Sequence, residues 1–357
     1  MKNKMILLGS SFAMLLGFGA SFFAAYNIFN RNGTGGALLV ANDSVSRWSL
    51  LHKAIYAKNS SMLASLLKKG ADVHEADAHG RTPLHYAASL GFTAGVDVLC
   101  AYGACADQQD CKGYTPLHCA AGKGRGAWVE QMQYAAIMDR LCKQSSIEIA
   151  DLKGRTPLHY AAMHGQDLLV AHLLAHGARA DFLDMFGRAP LHYAAGAVVG
   201  YYAIPHDYDK VVDLLLKAGG SANSKDKDGK TPLHYAAASG ALCVVDALIK
   251  QGASLSHCDI DGATPLHYAA GKDTLRFKPR RYWSHVRYRA QMRAYGRQYE
   301  RSLRQHTAIV AHLCSLGASG QVADKYGKTP LDYARSSSHD RLFCALENSN
   351  RKHCQPF

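Results

Sequence analysis

Seven histidines stand in register along this chain: His52, His85, His118, His159, His192, His234 and His267, each closing a tetrapeptide whose third residue is Leu. Imidazole is the commonest metal ligand and the side chain that titrates nearest neutral pH, so such a column invites a metal or acid–base reading. Distance argues against the metal reading. Packed helices lie ~8–10 Å apart, too far for neighbouring units to share one ion held by ~2.1 Å bonds. Ten cysteines (Cys100, Cys105, Cys111, Cys119, Cys142, Cys243, Cys258, Cys314, Cys344 and Cys354) form no Cys-x-x-Cys pair and no zinc-type spacing. They read as reduced, partly buried small apolar side chains. The stretch KDKDGK from Lys225 to Lys230 has the look of a calcium loop, but a loop begun at Ser224 puts Tyr235 at the twelfth position, where a bidentate Glu is required. Gly122-Lys123-Gly124 and Gly271-Lys272-Asp273 are too short for a phosphate-binding loop. With no nucleophile elbow, no paired carboxylates and no zinc signature, the chain is expected not to be an enzyme, and to need no metal and no cofactor.

The histidines belong to a larger pattern. Thr-Pro-Leu-His begins at Thr82, Thr115, Thr156, Thr231 and Thr264, with variants at Ala189 (APLH), Thr329 (TPLD) and Ser49 (SLLH), which makes eight units. Successive starts are 33, 33, 41, 33, 42, 33 and 65 residues apart, a period of 33 broken by insertions of 8, 9 and 32 residues. Ahead of the tetrapeptides stands Asp-x-x-Gly, at Asp77/Gly80, Asp110/Gly113, Asp151/Gly154, Asp184/Gly187, Asp226/Gly229, Asp259/Gly262 and Asp324/Gly327. Thr caps a helix start, Pro suits the first helical position, Leu and two Ala permit close packing, and a Gly such as Gly91 or Gly240 ends the short helix. A second apolar helix follows, for example Val244 to Ile249, closed by Gly252-Ala253. One helix pair cannot bury its apolar face alone, so the units must stack on one continuous core.

These motifs resemble the ankyrin repeat, and the resemblance spans about Ser49 to Leu346. It implies an all-α solenoid of stacked helix-turn-helix units joined by β-hairpin-like loops. It also implies that each histidine is a structural hydrogen-bonder within its own turn. Partners of the family are held on the concave side by hairpin tips and first helices. The tip pairs here are Ala78/His79, Cys111/Lys112, Leu152/Lys153, Met185/Phe186, Lys227/Asp228, Ile260/Asp261 and Lys325/Tyr326. Met185 and Phe186 are the expected centre of binding, with Tyr114, Tyr326 and the basic residues Arg155 and Arg188 beside the tips.

Charge is unevenly placed. The net formal charge is +13, and residues 272–304 carry 11 Lys/Arg against Asp273 and Glu300, or +9, leaving +4 for the rest. Within this insertion the spacing predicts a helix from Ser284 to Gln305. Tyr288, Met292, Tyr295, Tyr299 and Leu303 form one stripe, and Arg289, Arg293, Arg297 and Arg301 step by four on the opposite side, joined by Arg287 and Arg304. With Arg280, Arg281, Tyr282 and Trp283 just before it, the segment offers guanidinium forks and aromatic planes to an anionic partner. Either the stripe packs on the solenoid and the arginines are merely solvated, or they engage an acidic protein, nucleic acid or anionic lipid. The shorter insertions lie near 123–134 and 198–208.

At the N-terminus, Lys2 and Lys4 precede an uncharged apolar run from Met5 to Phe29, long enough to span a ~30 Å hydrocarbon layer. Residues 1–29 are expected to be an uncleaved signal-anchor with the bulk of the chain translocated, or else a cleaved signal leading to secretion. Residues 30–47 read as a flexible linker, 48–346 as the solenoid and 347–357 as a tail. The expected whole is a monomeric, membrane-anchored or exported scaffold for a protein partner.

Overall fold

The computed structural model describes residues 50–122, 128–196, 208–272, 287–336 and 342–347, with the backbone alone described for 128–131 and 287–300. The apolar run 5–29, the linker, Arg280, Arg281, Tyr282 and Trp283 all lie outside the described residues. Backbone contacts divide the chain after Lys53, and the second unit, Ala54–Phe357, carries the repeat array. No strand occurs among the described residues, and no described helix is long and apolar enough to cross a membrane.

Fifteen helices are delimited. They are α1 (Leu50–Tyr56), α2 (Ser60–Lys68), α3 (Pro83–Ser89), α4 (Thr93–Ala101), α5 (Pro116–Ala121), α6 (Trp128–Cys142), α7 (Pro157–Met163), α8 (Asp167–Ala175), α9 (Pro190–Gly196), α10 (Tyr208–Lys217), α11 (Pro232–Ser239), α12 (Leu242–Lys250), α13 (Pro265–Ala269), α14 (Arg287–Ser315) and α15 (Pro330–Ser336), followed by a helical turn at 342–347. First helices α3, α5, α7, α9, α11, α13 and α15 pack one on the next, as do second helices α2, α4, α6, α8, α10, α12 and α14. The result is two helical layers with the core between them.

The core repeats with the sequence. Leu84, Leu117, Leu158, Leu191, Leu233 and Leu266, the Leu of each tetrapeptide, are buried, and so is the Ala pair that follows each. Second helices present apolar residues at i, i+1 and i+4, such as Val244, Val245 and Leu248, to the same core. Each such Val or Leu contributes about 1.5–3 kcal/mol by leaving water. The Thr residues at the first-helix starts are extended and followed by Pro, so the first helices from α3 onward open with φ preset and one backbone donor fewer to satisfy.

All three insertions separate a first helix from its second helix, between α5 and α6, α9 and α10, and α13 and α14. Two are taken up partly as helix. Second helices α8 and α12 have 9 residues, whereas α6 has 15 and α14 has 29. The helix expected to end at Gln305 starts at Arg287, runs through Gly296 and continues without a break to Ser315, into the unit's own second helix. A glycine costing ~1 kcal/mol does not interrupt it, because an already nucleated helix extends one bond per residue.

Candidate interaction surface

The Asp of each Asp-x-x-Gly turn is the hub of its hairpin. In the fourth unit Asp151 Oδ1 accepts the backbone N–H groups of Lys153 (2.8 Å) and Arg155 (2.9 Å), and Oδ2 accepts the Tyr160 hydroxyl (2.6 Å). The same three bonds recur at Asp77, Asp184, Asp226 and Asp324. Burial alone would raise the Asp151 pKa, but the Tyr160 bond and the two backbone bonds hold it below the usual carboxylate value. The turn closes with Gly154 N–H donating to Asp151 O (2.8 Å) at φ +75°. Only Gly fits there, since a Cβ would lie 2.8 Å from Met185 N.

Each hairpin is tied to the next by one backbone bond. Cys111, Leu152, Met185, Lys227, Ile260 and Lys325 donate to the carbonyls of His79, Lys112, Lys153, Phe186, Asp228 and Asp261, at 2.7–3.1 Å. The tips therefore form a continuous row of rungs.

The histidine column joins units as well as capping them. The Thr156 backbone N–H donates to His159 Nδ1 (3.1 Å), so the proton sits on Nε2, which donates to Arg188 O of the following unit (3.1 Å). Equivalent bridges run from His85 to Tyr114 O, His118 to Arg155 O, His192 to Lys230 O, His234 to Ala263 O and His267 to Lys328 O. The bond within the turn is thus half of the role, and the other half is inter-repeat. Burial pushes the imidazoles of His118, His159 and His234 down to about 4. In the unit that begins at Thr329, Asp332 takes the histidine's place, and its Oδ2 accepts both Thr329 N–H (2.9 Å) and Thr329 Oγ1–H (2.7 Å).

These turns leave the tip side chains outside. Leu152 is 72% exposed, Ile260 67%, Tyr326 63%, Met185 51% and Phe186 43%. Lys112, Lys153 and Lys227 are exposed between them. Tyr114 is half-buried, its ring stacked on His118 and its hydroxyl 3.1 Å from that of Tyr160, which gives its own proton to Asp151 and so accepts from Tyr114.

The sequence matches a family described as Ankyrin repeats (3 copies), over residues 51–135, 129–204 and 200–277, more than half of the chain. The chain belongs to the ankyrin-repeat family. An ankyrin repeat protein of Fowlpox virus (strain NVSL) is 41% identical over 63 residues, 18% of this chain, and the chain spans only 9% of that relative's length. The crystal structure of the human ASB11 ankyrin repeat domain is 25% identical, with a TM-score of 0.51, covering 61% of this chain and 90% of the other. Ankyrin repeats are in general protein–protein interaction modules, typically without catalytic activity.

Within this ankyrin array the basic residues after the tips are largely committed to the scaffold. Arg155 pairs with Asp151 (3.0 Å), lies 4.6 Å above the Tyr160 ring and leaves its side chain 12% exposed. Arg188 reaches across to Asp226 of the next unit (3.3 Å) and lies over Phe186 and Tyr235. Lys272, at the root of the long insertion, is buried between Asp259 (3.5 Å) and Asp261 (3.2 Å). Of the helix arginines, Arg287, Arg289, Arg293 and Arg297 have only their backbone described, on α14, while Arg301 and Arg304 are exposed. Leu303 and His306 anchor α14 to the array, His306 Nε2 donating to Ala238 O (3.2 Å). Leu152 and Ile260 are exposed tip residues that the sequence reading passes over, although an apolar residue at either tip position is a visible signal.

No group of three His, Cys, Asp or Glu side chains among the described residues is placed to hold a metal ion, and no disulfide joins the described cysteines. Burial, with Asp139 nearby, pushes the Cys142 thiol up to about 11, which suppresses the thiolate a nucleophile requires.

Proposed function

We propose that this chain is a non-enzymatic protein–protein interaction scaffold, monomeric and held at a membrane by residues 5–29 or exported after their removal, which binds the acidic surface of a protein partner. Contact is made through the hairpin tips, centred on Met185 and Phe186, with the first helices beside them and the basic arm α14. One observation carries the reading. The carboxylate of each Asp-x-x-Gly turn is spent inside the scaffold, while large apolar side chains at several tips stay in water, and well-desolvated apolar anchors are what binding hot spots are made of. The test uses full-length chain in mild detergent with the partner isolated from its own cells. Replacing Met185→Asp and Phe186→Asp together should weaken binding at least tenfold at unchanged melting temperature. Unchanged affinity would defeat the reading.

A second reading rests on α14, which is about 20 residues longer than α8 or α12 and steps an arginine every four positions along Arg289, Arg293, Arg297 and Arg301. On it, nucleic acid or anionic lipid is the ligand. Deleting 272–304 would not isolate that segment, because it would remove buried Lys272 and Leu303. A triple Arg289→Gln, Arg293→Gln, Arg297→Gln variant is the cleaner probe. A phosphate-dominated complex weakens linearly in log–log terms as salt rises, and the triple variant would flatten that slope by about 3. A salt-insensitive complex would remove the second reading.

A further inference from the structure

The tip row has a regular metric. Each hairpin places two backbone segments side by side, and neighbouring hairpins are joined by a backbone bond, so one rung follows another at about twice the ~4.8 Å strand spacing, or ~10 Å. The spacing of packed first helices agrees. Over four consecutive rungs the exposed residues read Leu152 with Lys153, Met185 with Phe186, Lys227 with Asp228, and Ile260, so the first tip position alone reads Leu152, Met185, Lys227 and Ile260. No hydrogen bond among the described residues reaches the carbonyl oxygens of Leu152, Met185 or Ile260. At its first tip position the row therefore presents, at ~10 Å intervals, an apolar side chain beside a backbone acceptor with no partner among the described residues, interrupted once by Lys227.

Two ligand geometries repeat a side chain on one face every ~10 Å. An α-helix does so every seven residues at ~1.5 Å rise, and a polyproline-II segment every three at ~3.1 Å. A β-strand does not, since its side chains alternate and positions i and i+3 face opposite ways. Backbone chemistry separates the remaining two. An α-helix consumes its N–H groups internally, whereas a polyproline-II segment keeps its non-proline N–H groups available for the open carbonyls of the row.

We infer that the tips from Leu152 to Ile260 bind an extended, polyproline-II-like segment of the protein partner, about ten residues long, with apolar side chains at its first, fourth and tenth positions and an acidic side chain at the seventh, opposite Lys227. This rests on the tip row being the partner-binding surface proposed above. It adds the conformation and spacing of what is bound.

The test measures fluorescence anisotropy of labelled synthetic peptides on the full-length chain in detergent. The first peptide has Leu at positions 1, 4 and 10 and Glu at 7, with Pro, Gln and Ser between. The second has the same composition scrambled. The third is a helix-forming peptide with Leu at positions 1, 8 and 22 and Glu at 15. The first should bind at least tenfold more tightly than the other two. Leu152→Glu and Ile260→Glu should each weaken it fivefold or more, and Lys227→Glu should reverse the preference between Glu and Lys at position 7. Equal or tighter binding of the heptad-spaced or scrambled peptide overturns the inference, as does failure of all three to bind. If all three fail while Met185→Asp/Phe186→Asp still abolishes partner capture, the tip surface stands and only the extended-segment inference falls. If partner capture ignores the tips, the underlying reading falls with it.

Discussion

Lowering the pH from 7.5 to 5 should loosen the stack at its histidine bridges before Asp77, Asp151, Asp324 and Asp332 are affected. His118, His159 and His234 are buried, each using Nδ1 as an acceptor and Nε2–H as a donor to the next unit, a pattern that only the neutral ring can supply. Their folded pKa of about 4 lies below the ordinary 6.5, so the unfolded chain binds the proton first. Stability from these groups is then fully present above pH ~6.5 and is lost as pH falls toward ~4. At pH 5 each ring costs roughly 2 kcal/mol, and the three together roughly 6 kcal/mol, as an order of magnitude. His85, His192 and His267 are lowered in the same direction by burial and add to it. Asp77, Asp151, Asp324 and Asp332 are held below the usual carboxylate value, so their contribution disappears only at lower pH. The assay is urea unfolding followed by far-UV circular dichroism at pH 7.5, 6 and 5. The midpoint should fall at each step, and His159→Gln should start less stable at pH 7.5 yet lose less between pH 7.5 and 5. Equal midpoints at pH 7.5 and 5 would refute the bridging role.

Gly154 and Gly177 both have positive φ, but a Cβ at 154 would meet Met185 N at 2.8 Å, while one at 177 meets nothing within 4 Å. Gly154→Ala should therefore cost about 1–3 kcal/mol more than Gly177→Ala in matched denaturant curves. Equal costs would show that the hairpins do not pack as closely as described. Arg155→Gln removes the partner of buried Asp151 and should lower stability by about 1–3 kcal/mol, whereas exposed Lys153→Gln should stay within about 0.5 kcal/mol. The opposite order in thermal melts would return Arg155 to the partner surface and take it out of the scaffold.

Much of this architecture is legible in the sequence because each unit repeats the same local instructions. Thr-Pro at a helix start, Leu and Ala-Ala beneath it, and Asp-x-x-Gly before it specify a cap, a core face and a turn without reference to distant residues. What escapes is the chemistry between units. The Nε2 bridge from His159 to Arg188 O spans 29 residues, and nothing at either position signals it. The variant TPLD at Thr329 keeps the cap within the turn by other means, Asp332 Oδ2 accepting from both the Thr329 backbone N–H and its hydroxyl. Arg155 and Arg188 have the same charge as the exposed tip lysines, and only their contacts with Asp151 and Asp226 separate scaffold from surface. The long basic helix is visible as a stripe, and the stripe runs on in register from Leu303 through the buried His306, Val310 and Leu313, so its fusion with the unit's second helix is open to the same spacing argument and is missed by ending the helix at Gln305.

The claim at the centre of this account is that the hairpin tips face the partner. Photo-crosslinking amino acids placed singly at Leu152, Met185 and Ile260, and as controls at exposed Tyr102 and Met132, test it most directly on the full-length chain bound to its partner. Adducts to the partner from the three tips and none from the two controls are expected. Adducts from Tyr102 or Met132 with silent tips would place the partner elsewhere and contradict the account.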